Sequence, residues 1–237
     1  MLAYKYDTET KEYVGKITAQ LDPLESKIQG KEIYLLPANS TFEKPPVTGD
    51  KEIVIFENNN WIKKADYRDD VFYDTATQER HEIKEIGIIP LENWTDKAPT
   101  DNKAVWNGNN WEIPFAVKKE RKTAEIQSKS NTLMAETKKT YTDGEISTFE
   151  QQHAGATDIL NGDELTTNAI FVIALLTGRV GHTPTADEKT AFAERIISNY
   201  TAAAVATAEI VGKQQRLELA VRAATTEEEL DEIKWEE

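Results

Sequence analysis

The chain has 237 residues, which is long enough for one large domain or two ordinary ones with a substantial buried core. Its 28 Lys and Arg residues against 42 Asp and Glu residues leave a net charge of -14. A negative charge of this size repels phosphate backbones and anionic lipid headgroups, so we expect neither nucleic acid nor a membrane surface as a partner. The absence of cysteine excludes disulfides, thiolate nucleophiles and zinc–thiolate sites.

The sequence shows neither an export signal nor a membrane span. Its N-terminal residues lack the basic start and following apolar stretch that mark a signal peptide. The longest apolar run, residues 169–176, is far shorter than the roughly 20 residues that a membrane-spanning helix needs. We therefore expect a soluble protein that is made without an export signal.

Residues 1–114 favour short β-strands, because apolar and polar residues tend to alternate there. Each predicted hairpin has two such runs around a polar turn. In the last hairpin, Asn107-Gly108 is the dipeptide that most readily adopts the positive φ angles of a tight turn. The four predicted hairpins cover residues 4–19, 52–66, 70–84 and 103–113.

Two segments between these hairpins, residues 35–46 and 90–102, are rich in proline and asparagine. Proline lacks the N–H donor that a central strand must supply, so we predict that both segments are extended connectors. The β half then consists of small modules rather than one closed barrel. We predict an N-terminal β module at residues 1–48 and further β-hairpin modules at residues 49–114.

After Pro114 the sequence favours helix. Three Thr-x-x-Glu capping boxes, in which a Thr hydroxyl and a Glu carboxylate satisfy N–H groups of the first turn, precede apolar residues at helical spacing. The three pairs are Thr142/Glu145, Thr185/Glu188 and Thr225/Glu228. The predicted fold class is α+β, with N-terminal antiparallel β-hairpin modules followed by a C-terminal helical domain at residues 142–237.

The longest predicted helix begins after Thr185 and runs to about Ala224. Gly212 lies inside it, and an interior glycine costs about 1 kcal/mol relative to alanine, so either the helix bends there or another element packs closely. Apolar or small residues recur alternately three and four positions apart along one seam, which predicts self-association of the chain. The self-association candidates are Phe192, Ile196, Tyr200, Ile210, Leu217 and Val221.

Two further segments complete the predicted helical half. Residues 115–141 have few apolar anchors, so we interpret them as a connector helix between the halves or as a helix that another chain stabilises. Residues 166–179 are apolar all round and end near Gly178, a residue that often terminates helices. We predict that this second segment is the buried centre of the helical domain.

The sequence contains no recognisable catalytic or metal-binding constellation. The three histidines, His81, His153 and His182, each lack a second histidine at metal-ligand spacing. A Gly-x-Ser-x-Gly motif, a phosphate-binding loop and a dinucleotide fingerprint are also absent. We therefore expect no enzyme activity, no cofactor and no metal.

Four tryptophans lie in or beside the turns of the β half, and the pattern FENNNW at 56–61 returns as WNGNNW at 106–111. In one interpretation each tryptophan covers its own hairpin as a small core. In the other, some of them face outward as contact anchors, because tryptophan supplies much of the binding energy at protein interfaces. The partner-binding candidates are Trp61, Trp94, Trp106 and Trp111.

Residues 6–46 resemble the opening of bacteriophage tail fibre assembly proteins. The shared pattern is a Tyr-Asp hairpin followed by three short motifs. Residues 61–79 continue the resemblance, although Asp69 stands where relatives usually have Gly. The motifs are Asp-Pro-Leu-Glu at 22–25, Leu-Pro-Ala-Asn-Ser-Thr at 36–41 and Pro-Pro at 45–46.

The C-terminal residues 196–235 are similar to a helical domain of unknown function found at the ends of phage tail proteins, with Gly-Lys-Gln-Gln at 212–215 and Ala-Ala-Thr at 223–225. Together these resemblances imply a tail fibre assembly chaperone or fibre-tip accessory that acts by protein–protein contacts. The implied partner is a tail fibre or receptor-binding protein, within a homo-oligomer or a larger assembly. The implied location is the host cytoplasm during assembly and, in some systems, the virion tail.

Two alternatives to this function stay open. One is a structural virion component, such as a tail fibre or baseplate adaptor whose helical half joins a bundle. The other is binding of a host glycan, since flat sugar faces stack on indole rings. The glycan hypothesis is the weaker one, because no group of polar side chains accompanies the tryptophans.

Overall fold

The computed structural model describes residues 1–236 and divides into two compact units, Met1–Pro114 and Phe115–Glu237. We refer to them as the β unit and the helical unit. The fold is α+β as predicted, with antiparallel sheets in the first unit and helices in the second. The boundary after Pro114 lies where the sequence predicts the change from strand to helix.

The β unit is built from short antiparallel strands and one short helix, α1, at Pro23–Gln29. The strands are β1 Leu2–Tyr6, β2 Tyr13–Thr18, β3 Ser40–Thr41, β4 Glu52–Glu57, β5 Asn60–Ala65, β6 Val71–Asp74, β7 Arg80–Glu82, β8 Trp94–Thr95, β9 Val105–Trp106 and β10 Trp111–Glu112. They form four sheets with the orders β2-β1-β3, β4-β5, β7-β6-β8 and β10-β9. All four predicted hairpins are therefore confirmed.

The two predicted connectors do take part in sheet pairing, because each contains a two-residue strand. Ser40 and Thr41 of β3 pair with β1, and Trp94 and Thr95 of β8 pair with β6. Each pairing spans only two residues, so the neighbouring prolines stay outside the ladder and their missing N–H groups cost nothing. Each three-stranded sheet thus consists of one hairpin and one strand from the following connector.

The two asparagine-rich turns differ from each other. Asn58 and Asn59 both have positive φ, 51° and 61°, as a two-residue hairpin turn requires. The prediction for Asn107-Gly108 is wrong in detail, because only Gly108 has a positive φ and the loop between the strands holds residues 107–110. The Asn107 side chain instead accepts hydrogen bonds from the N–H groups at 109 and 110, at 2.9 and 2.8 Å, and so closes a wider turn.

The helical unit contains one long helix and several shorter ones that pack along it. The helices are α2 Phe115–Lys138, α3 Asp143–Ser147, α4 Phe149–Leu160, α5 Thr167–Val180, α6 Ala186–Ala223 and α7 Glu227–Glu232. The 38 residues of α6 span about 57 Å at 1.5 Å per residue. The predicted long helix is confirmed.

Threonine caps begin several of these helices. The predicted capping boxes before α3 and α6 are confirmed. The third box precedes α7 but is formed by Thr226 and Glu229, one residue after the predicted pair. Thr225, the predicted cap, instead donates its hydroxyl to the Glu229 carboxylate at 3.0 Å. Because two consecutive threonines precede three consecutive glutamates, the sequence alone does not decide which Thr and Glu form the box.

Helix α5 is buried on one side only. It continues past Gly178 and ends at Gly181, which has a left-handed φ of 78°. The segment predicted as the buried centre does contribute to the core, but only with one face, because Ile170 and Leu175 on the same helix are exposed. The buried residues of α5 are Ala169, Val172 and Leu176.

Two separate cores lie along α6. The first joins α4 and α5 to the N-terminal part of α6. In the second, Ile126 of α2 is buried together with Leu217 and Val221 of α6 and Leu230 of α7. The segment predicted as a connector, or as a helix held by another chain, is therefore part of the helical unit and packs on its own α6.

Gly212 in α6 is exposed, and a Cβ atom added there would meet nothing within 4 Å. Close packing is therefore not the reason for this glycine. Gly155 in α4 is the position where two helices come together, because an added Cβ would lie 2.2 Å from the carbonyl oxygen of Asn168 in α5.

Candidate partner-binding surface

Trp61, the first partner-binding candidate, packs within its own module. Its ring meets that of Phe56, the residue opposite on β4, at 5.1 Å between centroids and an angle of 62°. Its indole N–H donates to the carbonyl oxygen of Glu43 at 2.9 Å, just after β3. This tryptophan therefore joins the β4-β5 hairpin to the connector before it.

Trp111 makes the same two contacts in the second half of the β unit. It is 9% exposed and lies opposite Trp106 across the β9-β10 pair, with ring centroids 5.4 Å apart at an angle of 65°. Its indole N–H donates to the carbonyl oxygen of Lys97 at 2.7 Å, just after β8. The Lys97 ammonium in turn lies 5.9 Å from the centre of the Trp106 ring.

Trp94 is the fourth candidate, and it stacks on His81 of β7 at 4.1 Å between ring centroids. All four candidate tryptophans are buried or half-buried. The interpretation as small module cores describes their surroundings, and their role as partner-binding residues stays a prediction. The physical reason for this burial is that a short sheet has few other apolar side chains, so a large tryptophan ring is needed to form its core.

These contacts belong to a tandem repeat of two β modules. Module A comprises β1 to β5 and module B comprises β6 to β10, and each has a three-stranded sheet followed by a hairpin. Residues 6–12 read YDTETKE and residues 73–79 read YDTATQE. In both turns the Asp side chain, Asp7 or Asp74, accepts two backbone N–H bonds at 2.8–2.9 Å. These bonds lower the pKa of both carboxyl groups.

The connectors repeat as well. Residues 39–41 read Asn-Ser-Thr and residues 93–95 read Asn-Trp-Thr, and each threonine Oγ1 accepts from the N–H two residues later, at 3.2 and 3.3 Å. The carbonyl of that later residue is the one that binds the module's tryptophan. Sequence reasoning found the Asn-rich turns but missed the wider repeat, because the segment before the third strand is longer in module A.

In each module, the segment between the second and third strands carries most of the exposed apolar side chains outside the strands. We call residues 19–39 of module A and residues 83–93 of module B the crossover loops, since each links the second strand of its module to the third. Leu24 is 69% exposed, Ile28 68% and Ile89 63%. Exposed apolar groups that recur at equivalent places indicate an interaction site more strongly than scattered ones do. The others are Leu21, Leu35, Leu36, Ile88 and Leu91.

Helix α1 presents two of these residues in a fixed orientation. Asp22 caps the helix by accepting from the N–H groups of Leu24 and Glu25 at 3.1 and 3.0 Å. Ser26 holds the loop that follows α1, since its hydroxyl oxygen accepts from the N–H of Ile33 at 2.9 Å. None of the residues in α1 is buried, and the i and i+4 positions of Leu24 and Ile28 lie on one face.

Two of the motifs that resemble tail fibre assembly proteins, at residues 22–25 and 36–41, lie in this loop or run from it into β3, and the structure explains some of their residues. Asp22 and Pro23 start α1, Asn39 has a left-handed φ of 52°, and the Ser40 hydroxyl donates to the Pro37 carbonyl at 2.5 Å. Asp69, at the position where the sequence departs from the resembling pattern, has a φ of 66°. The exposed leucines at 24 and 36 have no such role in the fold.

The link between the two modules is held by an ionic cluster. Arg68 donates from Nη1 to Glu12 at 2.8 Å and from Nε to Asp66 at 2.7 Å. These bonds raise the pKa of Arg68 and lower that of Asp66. Both carboxylates are paired with the arginine, so we interpret this cluster as a structural contact at the link between the modules.

The self-association candidates on α6 are mostly used inside the chain. Phe192 is buried by α4 and α5, and Leu217 and Val221 are buried by α2 and α7. Ile196, Tyr200 and Ile210 are half-buried. The predicted seam therefore serves mainly to hold the helical unit together, because α2 and α4 cover its two ends.

Comparison with protein-family models, with curated proteins and with solved structures gave no match. The resemblance to phage tail proteins thus stays a prediction. Within residues 1–236, no helix combines the length and apolarity needed to cross a membrane. The same residues hold no group of three or more His, Asp or Glu side chains arranged to bind a metal ion.

Proposed function

We propose that the chain is a phage tail-associated protein that acts as a tail fibre assembly chaperone or fibre-tip accessory through protein–protein contacts. The observation that carries this proposal is the coincidence of two features in the crossover loops. The crossover loop of module A holds Asp-Pro-Leu-Glu at 22–25 and Leu-Pro-Ala-Asn at 36–39, which belong to the motifs that resemble tail fibre assembly proteins, and both crossover loops expose apolar side chains. The partner is a tail fibre or receptor-binding protein.

Each crossover loop supplies only a few apolar residues, so a single contact is weak and reversible. Two loops on one chain make the second contact intramolecular, which raises the overall affinity without any new type of contact. Such paired weak contacts suit a protein that covers apolar surface on a folding fibre subunit and leaves when that surface is buried. The net charge of -14 keeps the complex soluble during this step.

The test is co-expression of the tail fibre protein of the same phage with and without this chain, followed by measurement of soluble trimer. We expect a clear loss of trimer without the chain. We expect a similar loss with Leu24→Ser/Ile28→Ser or with Ile88→Ser/Ile89→Ser, because these changes remove apolar contact area from one loop. Exposed substitutions of this kind alter folding stability by only about 0.5 kcal/mol or less.

Val14→Ser and Val105→Ser are the matched controls, since both valines are exposed on strands outside the crossover loops. They should leave the trimer yield unchanged. A yield that does not depend on the chain at all would overturn the chaperone proposal. Mass spectrometry of purified particles addresses the structural alternative, because stoichiometric presence in the virion identifies a permanent component.

A further inference from the structure

A cavity of about 590 Å³ lies in the helical unit. It is bounded by the end of α2, by α3, by the start of α4 and by the middle of α6. It exists because α2 ends at Lys138 and α4 begins at Phe149, so that neither helix covers the middle of α6. A volume of 300–1,000 Å³ is typical of small-molecule sites.

Three aromatic rings line this cavity. The rings of Tyr141 and Phe149 meet edge to face, with centroids 5.0 Å apart at an angle of 86°. The ring of Tyr200 is stacked on one face by His153 at 4.0 Å, so only its other face and its edge remain for the cavity. The faces of aromatic rings carry negative potential, which attracts cations. The rest of the wall is mainly small or aliphatic, as with Ala203 on α6.

Two charged side chains line the cavity, Glu150 and Lys138. One oxygen of the Glu150 carboxylate accepts the Tyr200 hydroxyl at 2.8 Å, which fixes the carboxylate beside the ring and raises the pKa of that tyrosine. A carboxylate has two oxygens, so the second can accept from a ligand. Lys138 carries the opposite charge at the end of α2, and we therefore expect it to oppose a cationic ligand.

We infer that this cavity binds a small organic ammonium ion with an apolar body. The ammonium lies against the aromatic rings and the Glu150 carboxylate, and the apolar body lies along the alanines of α6. This site is independent of the proposed function, because it involves neither the crossover loops nor any residue of the β unit.

The test uses choline and its uncharged analogue 3,3-dimethylbutan-1-ol, in which carbon replaces the quaternary nitrogen. Each is titrated into the full chain while the ring protons of Tyr141 and Tyr200 are followed by NMR. We expect choline to bind about two- to thirtyfold more tightly than the alcohol, the range that cation–π attraction supplies. Equal binding of both compounds, or no response to either, overturns the inference.

Charge variants give a second, independent result. Glu150→Gln should weaken choline binding and Lys138→Gln should strengthen it, because the two side chains have opposite charges at one cavity. Glu209→Gln is the matched control, since this carboxylate is exposed on α6 outside the cavity lining. An unchanged circular dichroism spectrum at 222 nm shows that each variant folds. Affinities that shift in the same direction for both cavity variants contradict a cation site.

Discussion

Three glycines inside long helices of the helical unit are predicted to respond in opposite ways to alanine. Gly155 in α4 faces α5 closely, whereas Gly178 in α5 and Gly212 in α6 face open space. In a helix interior, alanine is more favourable than glycine by about 1 kcal/mol, because glycine loses more backbone freedom on folding. Gly178→Ala and Gly212→Ala should therefore raise the free energy of unfolding by up to about 1 kcal/mol each.

Gly155→Ala gains the same helix propensity of about 1 kcal/mol, but its new methyl group meets the backbone of α5. The added Cβ would lie 2.2 Å from the Asn168 carbonyl oxygen, 2.6 Å from its carbonyl carbon and 2.7 Å from a methyl carbon of Val172. Two of these atoms belong to the backbone of α5, so the helices must separate rather than repack a side chain. Overpacking costs about 1–3 kcal/mol. Taking the upper end, we expect a net loss of about 2 kcal/mol.

The measurement is urea unfolding of the full chain, followed by circular dichroism at 222 nm, where the helical unit dominates the signal. The stability of Gly155→Ala should lie about 3 kcal/mol below that of Gly212→Ala, which is the sum of the loss and the gain. Gly178→Ala serves as the control for α5 itself. If Gly155→Ala unfolds at the same urea concentration as the unmodified chain, the close approach of α4 and α5 is wrong.

Three further predictions concern the β unit and use urea unfolding followed by tryptophan fluorescence. Asp69 has a left-handed φ, so Asp69→Gly should stabilise the unit by up to about 1 kcal/mol while Asp69→Ala destabilises it; equal effects would argue against the strained turn. Trp61→Phe and Trp111→Phe each leave a carbonyl without its indole donor and should cost about 1–3 kcal/mol, and a loss near zero would show that these bonds are unimportant. The lowered pKa of Asp7 and Asp74 contributes stability above the ordinary Asp value of about 4, and this stability is lost as the pH falls through the folded-state pKa. The double variant Asp7→Asn/Asp74→Asn should therefore lose less stability than the unmodified chain between about pH 5 and pH 3, and identical losses would contradict the assignment.

Local patterns predicted the hairpins and the long helix, because turn chemistry and helix caps act within a few residues. The two-residue strands β3 and β8 could not be predicted this way, since two residues show no alternation and proline-rich surroundings argue against a strand. Their pairing depends on β1 and β6, which are distant in sequence. The same limit applies to Asn107, whose side-chain bonds override the preference of Asn-Gly for a two-residue turn.

The sequence also predicted an apolar seam on α6 correctly but could not say what covers it. Burial of Phe192 depends on α4 and α5, and burial of Val221 depends on α2 and α7. The few apolar residues of α2 suffice for this because Ile126 is placed against the second core. A seam that would be an interface on an isolated helix thus becomes the interior of a bundle.

The tryptophan contacts that recur in both modules lie next to the ends of the crossover loops. In each module the tryptophan ring pairs with an aromatic residue across the hairpin, and its N–H holds the carbonyl that follows the third strand. The exposed apolar side chains between the second and third strands take no part in these tryptophan contacts. Both crossover loops expose apolar side chains, and this exposure supports the partner contact that we propose. In both modules the tryptophan N–H fixes the backbone just after the third strand, while Leu24, Ile28 and Ile89 of the crossover loops stay exposed, as the proposed partner contact requires.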